Sequence, residues 1–316
     1  MSAAPASRVV TLTLNPALDT ATSIDHVVAD HKMRCGPTQI HPGGGGINVA
    51  RVLHRLGTAV EAVYLAGGLT GHRLNALLRE EGVARVPIET VAETRTALSV
   101  RETDTGLDYR FTLPMAAVQA SEWQAALDAV QARADDVSFL VLSGSVPDGV
   151  PVTVYAELAQ WAKSQGLRVV LDTSGPALMP ALAAGVYAFK PSLRELCGLV
   201  GRDLCEAGQW REAARRLIDQ GMAEVVAVSL GAQGADVITV DAAWRAPALP
   251  VDAQTTVGAG DSFVAGLVWA WTQGQDMPAA VRAAVAASAA ALLAPGTALC
   301  QAADVKRLLP QVVLQD

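Results

Sequence analysis

Short apolar runs alternate along the chain with longer stretches whose hydrophobic positions fall three and four residues apart. Residues 8–14 are β-branched and close on Asn15-Pro16, the pattern of a strand that ends in a turn. Val49, Val52, Leu53 and Leu56 then recur at helical spacing, with Gly57 placed to stop the helix. Residues 60–66 read as a second strand, and Leu74, Leu77 and Leu78 ahead of Gly82 as a second helix. The rhythm returns in the short apolar runs 139–143, 169–172, 187–190 and 224–229, between which 153–165 and 211–220 read as helices. Continuous apolar strands separated by helices predict a parallel sheet covered on both faces. Ligands then belong at the carboxyl ends of the strands.

Two stretches break this rhythm. Residues 22–40 lack a helical period, and 97–102 with 107–113 flank Asp104-Thr105-Gly106 as the arms of a hairpin would. Together they predict a small β element projecting from the main sheet, contributed by about 20–42 and 95–114. Pattern alone leaves it open whether this element is a lid over a site or a surface hairpin. No repeat, low-complexity tract or Pro-rich linker interrupts the 316 residues, and a single α/β domain over 1–316 is expected.

Composition narrows the class. With 51% hydrophobic and 17% charged residues the chain can bury enough surface to fold as a globule. The net charge of −7 argues against a general nucleic-acid binder or a protein held on anionic lipid. The first 110 residues are nevertheless neutral, so the cations for an anionic ligand are expected there. Cys35, Cys197, Cys205 and Cys300 form no CxxC pair and read as buried small hydrophobes in a reducing compartment. The five histidines all precede residue 73 and form no metal-type pair. The opening segment lacks a basic start, and the most apolar stretches, 262–271 and 283–294, are too short to span a bilayer; a cytoplasmic protein is expected.

The strongest chemical signal is Thr256-Val257-Gly258-Ala259-Gly260-Asp261-Ser262-Phe263, directly before an apolar helical run. Small residues at a helix start leave backbone N–H groups bare, and the helix dipole favours negative charge there. Asp261 inside such an anion hole makes sense as a base that takes a proton from a nucleophile attacking the anion. Standing alone, Gly258-Ala259-Gly260-Asp261 is equally compatible with a Gly-rich turn in which Asp caps a helix. A second signal is Pro42-Gly43-Gly44-Gly45-Gly46-Ile47-Asn48, where glycines allow close backbone approach and Asn48 offers both donor and acceptor to hydroxyls; by itself it could be a flexible loop. Asp19 lies just past a strand end, and Lys32, Arg34 and Arg95 are cations on irregular elements that together could hold a phosphate. Lysine is rare, with only Lys32, Lys163, Lys190 and Lys306 in the chain. The dinucleotide G-x-G-x-x-G, the P-loop, the protein-kinase motifs and the G-x-S-x-G elbow are all absent.

These motifs resemble the ribokinase-like (PfkB) sugar kinases over the full length. The resemblance is carried by TLTLNPALD at 11–19, PGGGGINVAR at 42–51, SGSVPDG at 143–149, LDTSG at 171–175, KPSLRE at 190–195, SLGAQGA at 229–235 and VGAGDS at 257–262. It implies a three-layer α/β/α ribokinase-like domain with a mostly parallel sheet and a small β lid. Within the family, PGGGGINVAR and YRFTLP at 109–114 are most similar to the minor bacterial 6-phosphofructokinase branch; 1-phosphofructokinase and tagatose-6-phosphate kinase stay open as alternatives, as does a non-catalytic sugar-phosphate sensor.

The resemblance implies transfer of the γ-phosphoryl of MgATP to the C1 hydroxyl of fructose 6-phosphate. Asp261 would be the base, and Gly258, Ala259 and Gly260 would supply amides. Asp19, Gly43, Gly44, Asn48 and Ser145 would meet the sugar, and Arg95 its phosphate, with Lys32 and Arg34 assisting across a homodimer formed by the β lids. Lys190, Ser192, Ser229, Gly231 and Gly234 would face the nucleotide, and Glu195 would organise Mg²⁺ through water. Family members often carry Asn-x-x-Glu where this chain has Ser192-Leu193-Arg194-Glu195, which predicts weaker magnesium or phosphate placement. A K⁺ site near 256–258 and Gly296 is carried as an open expectation. Neither nucleic acid nor membrane is expected as a partner.

Overall fold

The structure is a computed structural model that describes residues 8–315. The chain opens with β1 (Arg8–Thr13), β2 (Ala17–Ile24), β3 (Gln39–Gly43), α1 (Gly45–Arg55), β4 (Val60–Gly67), α2 (Gly68–Glu80) and β5 (Ala84–Thr90). A hairpin of β6 (Arg95–Glu102) and β7 (Asp108–Thr112) follows, then α3 (Ala120–Gln131), β8 (Val137–Ser143), α4 (Val154–Ser164) and β9 (Arg168–Asp172). The alternation continues through α5 (Leu178–Ala183), β10 (Val186–Phe189), α6 (Leu193–Val200), α7 (Ala207–Asp219) and β11 (Ala223–Ser229). A second hairpin, β12 (Ala235–Ile238) and β13 (Ala243–Ala246), leads to α8 (Ala259–Thr272), α9 (Met277–Leu292) and α10 (Ala302–Leu308).

Nine strands form the main sheet in the order β13-β12-β11-β10-β9-β8-β1-β4-β5. From β11 to β5 every neighbouring pair is parallel, and β12 and β13 add an antiparallel edge. Successive strand side chains point to opposite faces, and the burial follows that rule: Val9, Phe139 and Val225 join one apolar cluster with α1, α8 and α9, whereas Val10, Leu140 and Val226 join another with α3, α4 and α7. The result is the expected three-layer α/β/α arrangement. A separate four-stranded sheet, β3-β2-β6-β7, stands beside it, with β2 and β6 parallel at its centre and antiparallel partners outside.

Three local details differ from the sequence reading. β2 begins at Ala17, well before the patternless stretch, and 25–38 forms no strand at all, because its residues are nearly all exposed and gain nothing from a pleat. β5 carries Pro87, yet it lies at the sheet edge, where one face of the backbone needs no ladder donor. The cysteines are not uniformly buried: only Cys300 is, while Cys35 and Cys205 are exposed and Cys197 is intermediate. The burial expectation is thereby corrected for three of the four.

Candidate active site

The carboxyl ends of the parallel strands meet the N-termini of α1 and α8, and most of the expected site residues gather there. Gly258 enters α8 with φ 75°, the left-handed conformation that glycine adopts at little cost, and no side chain caps the helix. Among the described residues the amides of Gly258, Ala259 and Gly260 donate to no protein acceptor. Asp261, in the same first turn, accepts a 2.8 Å hydrogen bond at Oδ2 from Asn48 Nδ2. The site thus holds an open cradle of donors with a carboxylate in it, and the Asp cap read as an alternative does not form.

Burial pushes the Asp261 carboxyl up to about 7, with the nearby Asp172 and Asp19 adding to the shift and Asn48 and Lys190 opposing it. Burial likewise pushes Asp19 up to about 6, against the pull of Arg51, Arg95 and Arg110. A carboxylate poised near neutrality is suited to proton transfer at physiological pH. Lys190 Nζ lies 3.1 Å from Asp172 Oδ1. Although burial alone would lower it, the carboxylates of Asp172, Glu195 and Asp261 hold the ammonium above its ordinary value. Its Nζ would be 3.6 Å from a Cβ built on Gly260, which puts a fixed cation at the rim of the amide cradle.

The glycine run has four separate duties. A side chain on Gly43 would strike the Asp19 carboxyl group, Gly44 has φ 115°, Gly45 presses on Ser143, and a Cβ on Gly46 would sit 2.7 Å from the carbonyl oxygen of Leu12. The loop alternative therefore fails: the run packs α1 directly onto the ends of β1 and β8.

Arg95 donates from Nε to Asn15 Oδ1 at 2.8 Å and from Nη2 to the Asn15 carbonyl at 3.1 Å, and Asn15 in turn reaches Ser145 Oγ at 3.0 Å. Arg110 donates to Thr256 Oγ1 at 2.9 Å, linking the small sheet to the segment that opens α8. Lys32 and Arg34 lie in the exposed 25–38 stretch and bond to none of these groups. On the other side Ser192 and Glu195 form a capping box: Ser192 Oγ accepts from Glu195 N at 3.2 Å, while Ser192 N and Oγ donate to Glu195 Oε2 at 2.7 and 2.9 Å. The serine at this position is a sound helix cap that also steadies the glutamate. Ser229 pairs with the backbone at Pro191 and Ser192. Gly231 has φ 58°, and any side chain on Gly234 would strike the Ala246 carbonyl.

The sequence reading assigned no role to Asn15, Arg51, Arg110 or Asp172. Each lay inside a quoted motif, so the signal was present. Their partners, however, come from distant elements and emerge only on folding.

Residues 12–304 match the model of the pfkB family carbohydrate kinases. The chain belongs to that family. This sugar kinase is 44% identical over 300 residues to the ATP-dependent 6-phosphofructokinase isozyme 2 of Mycobacterium tuberculosis, covering 95% of this chain and 88% of the relative. It is also 38% identical over 292 residues to the 1-phosphofructokinase of Rhodobacter capsulatus, covering 90% of each. The solved structure of Escherichia coli phosphofructokinase-2 in complex with substrates and products superposes with a TM-score of 0.91 at 38% identity, covering 96% of this chain and 99% of that one.

Proposed function

We propose that this kinase transfers the γ-phosphoryl group of ATP to the C1 hydroxyl of fructose 6-phosphate, and that Asp261 is its base. The single observation that carries this reading is the Asp261 carboxyl group, held by Asn48, seated among helix-N-terminal amides that bond no protein acceptor. Asp261 takes the hydroxyl proton as the oxygen attacks the γ-phosphorus. The bond to the β-phosphate oxygen breaks, ADP leaves, and the amides of Gly258, Ala259 and Gly260 meet the charge on the transferring group. One such donor is typically worth about 2.7–4 kcal/mol. Lys190 adds a positive charge at the same rim, and Ser229, Gly231 and Gly234 border the nucleotide.

On the sugar side, Asp19, Gly43, Gly44 and Asn48 face the hydroxyl groups. Arg95, kept in place by Asn15, binds the 6-phosphate; Ser145, held by the same asparagine, stands beside it. Arg110 completes the cationic side from the small sheet, which serves as a lid over a single domain. Exposed Met33, Ile40, Leu107, Phe111 and Leu113 in and around that sheet suit a homodimer formed lid to lid, in which Lys32 and Arg34 reach the partner's sugar site.

Among the described residues no three His, Cys, Asp or Glu groups cluster as a metal cage. The single carboxylate of Glu195 suits an Mg²⁺ that arrives on nucleotide phosphates and keeps its own waters. Glu195, already steadied by Ser192, would hold it through water, and the ion would neutralise phosphate charge. The K⁺ expected near 256–258 and Gly296 would lie at a cavity of about 190 Å³ bordered by Val257 and Gly296 and also by the Arg101–Asp108 ion pair. No helix among the described residues is long and apolar enough to cross a membrane, and a cytoplasmic location suits the reaction.

The test is ATP-dependent turnover measured side by side with fructose 6-phosphate, fructose 1-phosphate, tagatose 6-phosphate and unphosphorylated fructose. Fructose 6-phosphate is expected to give the highest kcat/KM. Preference for fructose 1-phosphate would transfer the assignment to the other branch, preference for the free sugar would overturn the roles of Arg95 and Arg110, and no turnover with any would favour the sensor.

A further inference from the structure

Arg51 is fully buried, so it cannot touch a substrate, yet it is wired to the centre of the site. It lies one helical turn after Asn48 on α1, where side chains three apart share a face. Its Nε donates to both oxygens of Glu81 at 3.0 and 2.9 Å and its Nη2 to Glu81 Oε1 at 2.6 Å. Its Nη1 reaches the Pro42 carbonyl at 2.9 Å, the Thr297 carbonyl at 3.3 Å and Asn48 Oδ1 at 3.4 Å. Glu81, at the end of α2, therefore anchors a guanidinium that touches the glycine run, the segment after α9 and the asparagine beside the catalytic carboxylate.

We propose that Arg51 is a positioning residue for phosphoryl transfer: it sets the orientation of the Asn48 amide so that this amide donates to Asp261 Oδ2 and leaves Oδ1 directed at the acceptor hydroxyl. An asparagine amide has a donor end and an acceptor end, and the two exchange on a half-turn. A guanidinium has donors only, so the acceptor end must face Arg51 and the NH₂ end must face Asp261. Without Arg51 the amide is free to turn its oxygen toward the carboxylate, which would remove a donor and bring two negative oxygens together. Among the described residues Asp261 Oδ1 accepts no hydrogen bond. The other charged groups facing Asp261 are Lys190 after β10, Asp172 at the end of β9 and Asp19 on β2, and none of them contacts the Asn48 amide. Arg55 supplies a built-in control. It also pairs with Glu81, at 3.1 Å, and holds the Ala298 and Cys300 carbonyls at 2.6 and 3.1 Å, but makes no bond to Asn48.

The inference rests on Asp261 being the base, and its test separates the two. Kinetics as a function of pH are measured for wild type, Arg51→Met, Asn48→Ala, the double variant and Arg55→Met, with the best phosphosugar of the panel above. The Asp261 carboxyl is followed in parallel by ¹³C NMR in the free protein, which needs no substrate. Arg51→Met is expected to lower kcat about tenfold with little change in KM, and to raise the acid-limb midpoint and the Asp261 titration by about half a pH unit. In the Asn48→Ala background the same change is expected to add nothing to either readout, which is the mark of coupling through that side chain. Should Arg51→Met fail to fold, Arg51→Lys keeps the charge for Glu81 and loses the fork that reaches Asn48, and the same shifts are expected. Equal effects of the Arg51 substitution with and without Asn48, or an equal titration shift in Arg55→Met, would overturn the proposal and leave Arg51 a purely structural ion pair. If instead Asp261→Asn retains wild-type rates, it is the base assignment that fails, whatever Arg51 does to the titration.

Discussion

Lys190 Nζ and Asp172 Oδ1 stand 3.1 Å apart at the carboxyl ends of two adjacent parallel strands, the lysine buried and the aspartate largely so, with the ammonium facing the first turn of α8. The pair presents a positive charge to the place where phosphate charge would develop, and the aspartate keeps that charge from being lost. Lys190→Met is expected to abolish most turnover and to destabilise the protein by about 3 kcal/mol, because it strands a largely buried carboxylate. Lys190→Met with Asp172→Asn is expected to recover most of the stability and none of the activity. Thermal unfolding and ATP kinetics on the two variants check this; recovery of turnover in the double variant would show that Lys190 serves only to neutralise Asp172.

Asp261→Asn is expected to reduce kcat by about 10²–10⁴. In the wild type, kcat/KM is expected to fall as pH drops through about 7, as loss of the proposed base to protonation requires. Stability should behave in the opposite sense. A carboxyl group raised from 3.8 to about 7 by burial binds its proton more tightly when folded, so stability is lost as pH rises from about 4 to 7. Asp261→Asn is therefore expected to be more stable than wild type at pH 8, on the order of 4 kcal/mol, and to lose that advantage near pH 4. Denaturant unfolding at the two pH values decides it, and a stability difference independent of pH would show that Asp261 is not held in a costly environment.

Two glycines of one run should fail differently. Gly43→Ala pushes on the Asp19 carboxyl group, the movable end of a side chain, so a raised KM for the phosphosugar with little loss of stability is expected. Gly46→Ala pushes on the Leu12 backbone carbonyl, which cannot give, and a loss of about 1–3 kcal/mol is expected. Chemical denaturation and sugar kinetics on the pair distinguish the two, and matching profiles would refute the division of duties.

Ser192→Ala removes both the helix cap and the hydroxyl that steadies Glu195. A stability loss of about 1 kcal/mol is expected, together with a higher Mg²⁺ concentration for half-maximal rate. A titration of rate against free Mg²⁺ at saturating ATP checks the second effect, and an unchanged requirement would separate Glu195 from the metal.

Arg110→Met breaks the bond from the small sheet to Thr256 and removes one of the cations around Asp19. A phosphate contact to a charged group is worth about 1.5–3 kcal/mol, so a tenfold to hundredfold rise in KM for fructose 6-phosphate is expected, with a smaller change for ATP. Equal changes in both constants would mean that the sheet acts on closure and not on the sugar phosphate.

The alternation of apolar runs determined the layered sheet, because burial on both faces demands strands without a polar side and helices to cover them. The motifs likewise placed Asp261 and the glycines, since backbone freedom and a helix start are local properties of the residues themselves. Pairings across long separations were decided only by folding. Asn48 meets Asp261, Arg95 meets Asn15, Lys190 meets Asp172 and Arg51 meets Glu81 because the ends of separate strands and helices converge in space, and nothing in either partner's neighbourhood along the chain specifies the other. The raised carboxyl groups of Asp19 and Asp261 follow from the same cause: their shift comes from burial by distant segments, and desolvation is a property of the assembled site.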